Sequence, residues 1–220
     1  MSKSNKTKKI YLIGAGGHFR SIIDLIHEVN KTDQQVKILG FFDDNKDCFK
    51  GYDFKYLGII ENIKSYITEE ENYFHISIGS NKLRREISKK YNVKYISLIH
   101  PRAIISDFSL IEEGTAIMGG VILNSGVKIG KHCILNTGSI VDHDCIIGSF
   151  VHVAPGVTLS GNVKVGQSSW IGTGSQVIQN IEIGSTTLIG AGSTVVKNLG
   201  SNILAYGVPC EEVGKWDESI

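Results

Sequence analysis

From Ile105 onward an aliphatic residue returns every six positions: Ile105, Ile111, Ile117, Leu123, Ile129, Leu135, Val141, Ile147, Val153, Leu159, Val165, Ile171, Val177, Ile183, Ile189 and Val195. All sixteen are Ile, Leu or Val, and nothing interrupts the count. A step of six drifts around a 3.6-residue helical turn and would smear these side chains over every face, so the segment is not an α-helix. Short strands joined by tight corners fit. Strand alternation then turns the residue two before each anchor inward as well, and that slot is small or β-branched: Thr115, Val121, Val127, Cys133, Ser139, Cys145 and Val151 among them. The residue after the anchor is often glycine (Gly130, Gly148, Gly166, Gly172, Gly184, Gly190), which reads as a corner that permits positive φ.

Ahead of His100-Pro101 the rhythm differs. In "KKIYLIGAGGHFRSIIDLI" an apolar strand (Ile10 to Ile13) runs into Gly14-Ala15-Gly16-Gly17-His18, and Ile22, Ile23, Leu25 and Ile26 follow at helical spacing. This is the strand, turn and helix start of a nucleotide-binding βαβ unit, in which backbone N–H groups and the helix dipole attract phosphate. A second strand, "VKILGFFDDN", delivers Asp43 and Asp44, carboxylates able to accept hydrogen bonds from a base or ribose. The third glycine of a G-x-G-x-x-G fingerprint falls at Phe19, so the turn suits either a nucleotide or a purely structural role. "HISIGSNKLRREI" supplies a third strand, a Gly-Ser-Asn turn and a helix. Its Lys82, Arg84 and Arg85 either line the same crevice or form a solvated basic face. The predicted organisation is a flexible tail at 1–9, a Rossmann-like βαβ domain at 10–98, a repeat domain at 99–199 and a C-terminal tail at 200–220.

Charge narrows the partners. With 23 basic and 22 acidic residues the net charge is +1, which removes the electrostatic footprint expected for nucleic acid or an anionic membrane. No apolar run approaches the ~20 residues that span a bilayer, and the start lacks a secretory pattern, so a soluble cytoplasmic protein is expected. Cys48, Cys133, Cys145 and Cys210 are widely spaced, with no C-x-x-C pair, and reduced thiols follow.

Candidate chemistry gathers in "VDHDCIIGSFVHVAPG", Val141 to Gly156. The six-residue register sends Cys145 inward and both His143 and His152 outward, so they do not share a tetrahedral metal ion; no metal is expected. His143 stands at a corner, either as plain surface or as a base. An imidazole, with its ordinary pKa of ~6.5, accepts a proton near neutrality, and an adjacent anion such as Asp144 raises that pKa. His152 reads as an exposed rung position or a ligand contact. His132 reads as surface, His27, His75 and His100 as structural, and His18 as a phosphate contact or a helix cap.

The order of segments, G-A-G-G-H, then "LIHPRAIIS", then hexapeptide repeats containing "NTGSIVDHDCIIG" and "VHVAPGVTLSGNVKVG", resembles the bacterial nucleotide-sugar acyltransferases over about Ile10 to Pro209. Within them it is similar to the UDP-4-amino-sugar (bacillosamine-type) N-acetyltransferases and the sialic acid O-acetyltransferases. The resemblance implies a Rossmann-like α/β domain followed by a left-handed parallel β-helix with three rungs per coil, hence about five coils. It further implies a homotrimer with active sites between subunits, acetyl-CoA as co-substrate and a nucleotide-linked amino sugar as acceptor. By the family's motifs His143 is the general base and Asp144 its orienting partner, in a setting that includes Asn136 and Thr137. Coenzyme A is implied near His152, Gly161, Thr173 and Ala191. The sugar nucleotide falls to Gly14, Gly16, Gly17, His18, Asp43, Asp44, Gly58, Asn81 and Asn136. The chain departs at Gly207-Val208-Pro209-Cys210, where the family has a small last residue, and at Asp144, one methylene shorter than the usual Glu. Sugar O-acetylation is the alternative enzymatic reading, and a non-catalytic β-helical scaffold the alternative outside enzymes.

Overall fold

The computed structural model describes residues 7–47, 53–67 and 72–217; Cys48 and most of the expected N-terminal tail lie outside them. The N-terminal unit is a three-stranded parallel sheet in the order β2-β1-β3, built from β1 (Lys8–Ile13), β2 (Val36–Phe42) and β3 (Asn72–Ile76). β1 is central and buried over Ile10–Ile13, which is why that stretch is apolar at every position rather than alternately. Lys8 and Lys9, assigned above to a tail, instead start β1. Pairing with Val36 and Lys37 needs only their backbone, and both side chains stay exposed. Helix α1 (Gly17–Val29) packs Phe19, Ile22, Ile23, Leu25, Ile26 and Val29 into the core, and α2 (Asn81–Lys90) begins where Ser80 Oγ accepts the Leu83 N–H at 3.3 Å.

The predicted repeats form a left-handed parallel β-helix. Its two-residue strands run from β4 (Leu98–Ile99) to β20 (Thr194–Val195), each pairing in parallel with the strand one coil on, as Ile134 with His152 and Leu135 with Val153. Three sheets result, one on each face of a triangular prism. The first face carries Ile134–Leu135, His152–Val153 and Trp170–Ile171, the second Ile140–Val141 and Thr158–Leu159, the third Ile146–Ile147 and Lys164–Val165. The anchors fill the axis: Ile117, Leu135, Val141, Val153, Leu159 and Ile171 are wholly buried, each side chain contributing roughly 1.5–3 kcal/mol by leaving water.

Three expectations change. The helix makes about six coils rather than five, because the rung at Leu98–Ile99 precedes the series and further strand follows it. Residues 200–220 are not a tail over their described part: β21 (Ile203–Tyr206) joins the first face beside Leu188–Ile189, and β22 (Glu211–Lys215) returns antiparallel to it. Ile203 and Ala205 alternate inward there and close the last coil, covering an edge that would otherwise expose unpaired backbone. The glycines after the anchors do not supply positive φ. That conformation falls two residues later, at His132, Asp144, Phe150, Asn162 and Ser168, among others. Glycine follows the anchor for want of room, since a Cβ on Gly148 would stand 2.6 Å from the Gln167 nitrogen of the next coil.

Candidate active site

His143 sits on the edge where the second and third faces meet, in the corner between Ile140–Val141 and Ile146–Ile147. Asp142 Oδ1 accepts the His143 N–H at 2.7 Å and the Asn124 amide at 2.7 Å, which fixes the approach to the corner. Asp144 takes the left-handed conformation (φ 59°), one that Asp tolerates better than most residues. Its carboxylate bends back over Gly126, where a Cβ would come within 2.5 Å of Oδ1. Asp144 Oδ2 thereby meets His143 Nδ1 at 3.0 Å. A carboxylate only accepts, so Nδ1 carries the proton and Nε2 presents its lone pair. Gly161, one coil on, leaves the ring its space: a Cβ there would lie 2.5 Å from Nε2. The hydrogen bond to Asp144, then the nearby Asp142 charge, raise the His143 pKa above its ordinary value. Asp142 is the group sequence reasoning missed; the D-H-D run was its signal.

His152 is not exposed. It points away from the helix axis as alternation requires, yet it is buried because the N-terminal domain covers the first face. Asn136 Nδ2 meets its Nε2 at 3.2 Å, and the Trp170 ring packs at 4.2 Å. With Asn136 donating, the proton falls to Nδ1, a buried donor without a partner. Burial, then Arg84 and His18, hold its pKa well below the usual range. His132, read as surface, is also buried, between Tyr95 (4.5 Å) and Phe150 (5.4 Å), since its corner faces the N-terminal domain.

The Gly-rich turn lies past the carboxyl end of β1. Gly14 (φ 91°) donates to Phe42 O, and a Cβ there would collide with Ile78. Gly16 and Gly17 are exposed, nothing lies within 4 Å of a Cβ built on either, and no side chain caps α1. The helix N-terminus is thus open, as an anion site requires. Phe19, in place of the third glycine, is buried against Phe41. His18 Nε2 is buried without a partner, and burial followed by Arg84 takes its pKa to about 3. Asp43 is committed to the turn: Oδ2 accepts the Ala15 N–H at 2.6 Å and Oδ1 that of Asn45 at 2.8 Å. Asp44 spends Oδ1 on Ile60 N (2.9 Å) and borders a cleft of about 360 Å³ with Ile60, Ile78, Leu83 and Tyr91. Gly58 (φ 109°) receives the Asp43 N–H on its carbonyl.

Asn81 departs from its expected role. It is buried, its amide donating to Ser168 O and Ser169 O (both 3.1 Å) and its carbonyl accepting from Arg84. Arg84 is buried too, so α2 does not present a wholly solvated basic face. Thr173 and Ala191 stack one coil apart, exposed, in the corner after the first face, with Gly192 N donating to Thr173 O at 2.8 Å. The structure therefore joins His143, Asp144 and Gly161 on one edge, and His18, His152 and Asn136 on the face opposite that edge. Within one chain these groups do not meet.

Residues 9–91 match the PglD N-terminal domain family. The chain is 28% identical over 172 residues to GDP-perosamine N-acetyltransferase of Escherichia coli O157:H7, covering 76% of this chain and 77% of that protein. PerB from Caulobacter crescentus, solved with CoA and GDP-perosamine, superposes with a TM-score of 0.86 at 31% identity, over 94% of this chain and 97% of that one. The acetyltransferase domain of PglB from Neisseria gonorrhoeae, solved with acetyl coenzyme A, gives 0.86 at 30% identity over 94% and 100%. The fold thus places the chain in one class, the left-handed β-helix acyltransferases. The chain is a member of their hexapeptide-repeat nucleotide-sugar N-acetyltransferase family. It spans between 22% and 77% of the length of three curated relatives.

Proposed function

We propose that this protein transfers the acetyl group of acetyl-CoA to the amino group of a nucleotide-linked amino sugar, a UDP- or GDP-4-amino-deoxy sugar, in surface-glycan or glycoprotein synthesis. The exposed His143 that donates to Asp144 and leaves Nε2 free carries this reading. Nε2 accepts the proton the amine loses as the new C–N bond replaces the C–S bond, and the imidazolium returns it to the departing sulfur. Acetyl-CoA supplies an acyl group already activated as a thioester. The thiols of Cys133 and Cys145 are poor nucleophiles, since burial pushes Cys133 to about 12 and Cys145 to about 11.

The open N-terminus of α1, with Gly14, Gly16, Gly17 and His18, suits the diphosphate, and the cleft beside Asp44 suits the nucleoside. Asp43 and Gly58 act by shaping that turn. His152 Nδ1, a donor kept unpaired, suits an acyl oxygen, with Asn136 fixing its tautomer, while Gly161, Thr173 and Ala191 offer backbone to the coenzyme. His143 lies opposite the face that holds His18, His152 and Asn136, so the reading requires the site to close between copies, as a homotrimer. Incubation with acetyl-CoA and a panel of UDP-, GDP- and dTDP-amino sugars should release free thiol with one of the amino sugars. Thiol release with a sialic acid and with no amino sugar would overturn N-acetylation.

A further inference from the structure

At one edge of the β-helix the corner carbonyls are met from outside. At the edge where the third face meets the first, Lys131 O and Ser149 O accept the amides of Phe150 and Ser168 one coil on. The next residues, His132, Phe150 and Ser168, are left-handed (φ 53°, 64° and 58°), and their carbonyls are met from outside by α2. Arg84 Nε donates to His132 O at 3.0 Å and one terminal nitrogen to Phe150 O at 3.1 Å, while Asn81 Nδ2 takes Ser168 O at 3.1 Å. One turn of α2, ~5.4 Å, nearly matches one coil, ~4.8 Å, so two residues three apart reach three successive coils.

The same guanidinium holds the other side. Its second terminal nitrogen donates to Ile78 O (3.0 Å) and Gly79 O (2.7 Å), in the loop whose Ile78 side chain packs on Gly14. One buried side chain thus ties the glycine-rich turn to the corner that leads, two residues after Phe150, into His152. We propose that Arg84 is a positioning residue for the transfer reaction, setting the distance between the sugar-nucleotide turn and the acetyl-transfer face, with Asn81 fixing the register. This rests on the function proposed above.

Its charge also reaches the histidines around it. Arg84 faces His18 on α1, His75 on β3, and His132 and His152 on the helix, each held below its ordinary pKa first by burial and then in part by this cation. His18 and His75 also face one another, as do His18 and His152. Arg84→Lys keeps the charge but replaces a planar fork of five donors by one ammonium, whereas Arg84→Met removes both.

Steady-state kinetics of folded Arg84→Lys should show the KM for sugar nucleotide raised about tenfold and that for acetyl-CoA within about twofold. Arg84→Met, which loses both the fork and the charge, should raise the KM for sugar nucleotide further; the acid limb of kcat/KM, set by His143, should stay in place in both variants, because the imidazoles facing Arg84 are kept neutral first by burial. Amide exchange reads the lock without catalysis: residues 14–19 and 77–80 should exchange faster in Arg84→Lys, with the helix strands still protected. If the wild type turns over no amino sugar, the functional reading fails and exchange still decides the lock. Unchanged KM values and unchanged exchange in a folded Arg84→Lys would overturn the proposal. Should Arg84→Met not fold, Asn81→Ala must reproduce the selective KM change. If neither Arg84→Lys nor Asn81→Ala folds, Arg84 is support and not positioning, and the proposal fails.

Discussion

His143 and Asp144 derive their chemistry from two glycines that are not their chain neighbours. Gly126 makes room for the carboxylate and Gly161 for the imidazole, so the pair meets at 3.0 Å on an exposed corner. Asn at 144 keeps the left-handed backbone and a hydrogen-bond acceptor for Nδ1–H but removes the charge. Asp144 raises the His143 pKa, so losing its charge lowers it, and the imidazole stays neutral to lower pH. In Asp144→Asn the acid limb of kcat/KM should therefore move to lower pH while the plateau falls, because the base is weaker. A limb that stays put, or moves up, would show that the carboxylate does not tune the base. His143 was legible because a six-residue register tells which side chains leave the core. The buried states of His132 and His152 were not, because they depend on a second domain docking on that face.

At the scale of the element, each coil is shaped by the one above it. The six-residue period was readable because each anchor repeats a local requirement, two extended residues and a corner. Coil number and the closing hairpin were not: Ile203 and Ala205 look like tail until β21 is seen to continue the first face. Coupling between coils gives a test. Gly161→Ala sets a methyl 2.5 Å from His143 Nε2, where the ring must move, while the backbone at 161 needs no positive φ. The fold should hold by circular dichroism and melting temperature, while kcat/KM falls about 10²-fold, the scale of an ångström of misplacement at a reacting group. Full activity in a folded Gly161→Ala would mean that the ring's present position is not the productive one.

In the whole molecule the two halves of the chemistry point away from each other. A triangular helix has three edges; the N-terminal domain covers the first face and the edge at His132, Phe150 and Ser168, and His143 occupies the edge opposite that face. In the homotrimer proposed above, the His143 edge of one copy would meet the first face of the next, as a heterologous interface that closes into a ring allows. Each site then uses two chains, which makes subunit mixing informative. His143→Ala and His152→Ala should each be nearly inactive alone. Co-expressed, they form mixed rings in which a site is whole when its edge comes from the His152→Ala chain and its face from the His143→Ala chain. Random mixing makes about a quarter of sites whole, and activity should return to about that fraction of wild type. Were the site built within one chain, no mixture would contain a complete one, and activity would stay at the level of the single variants.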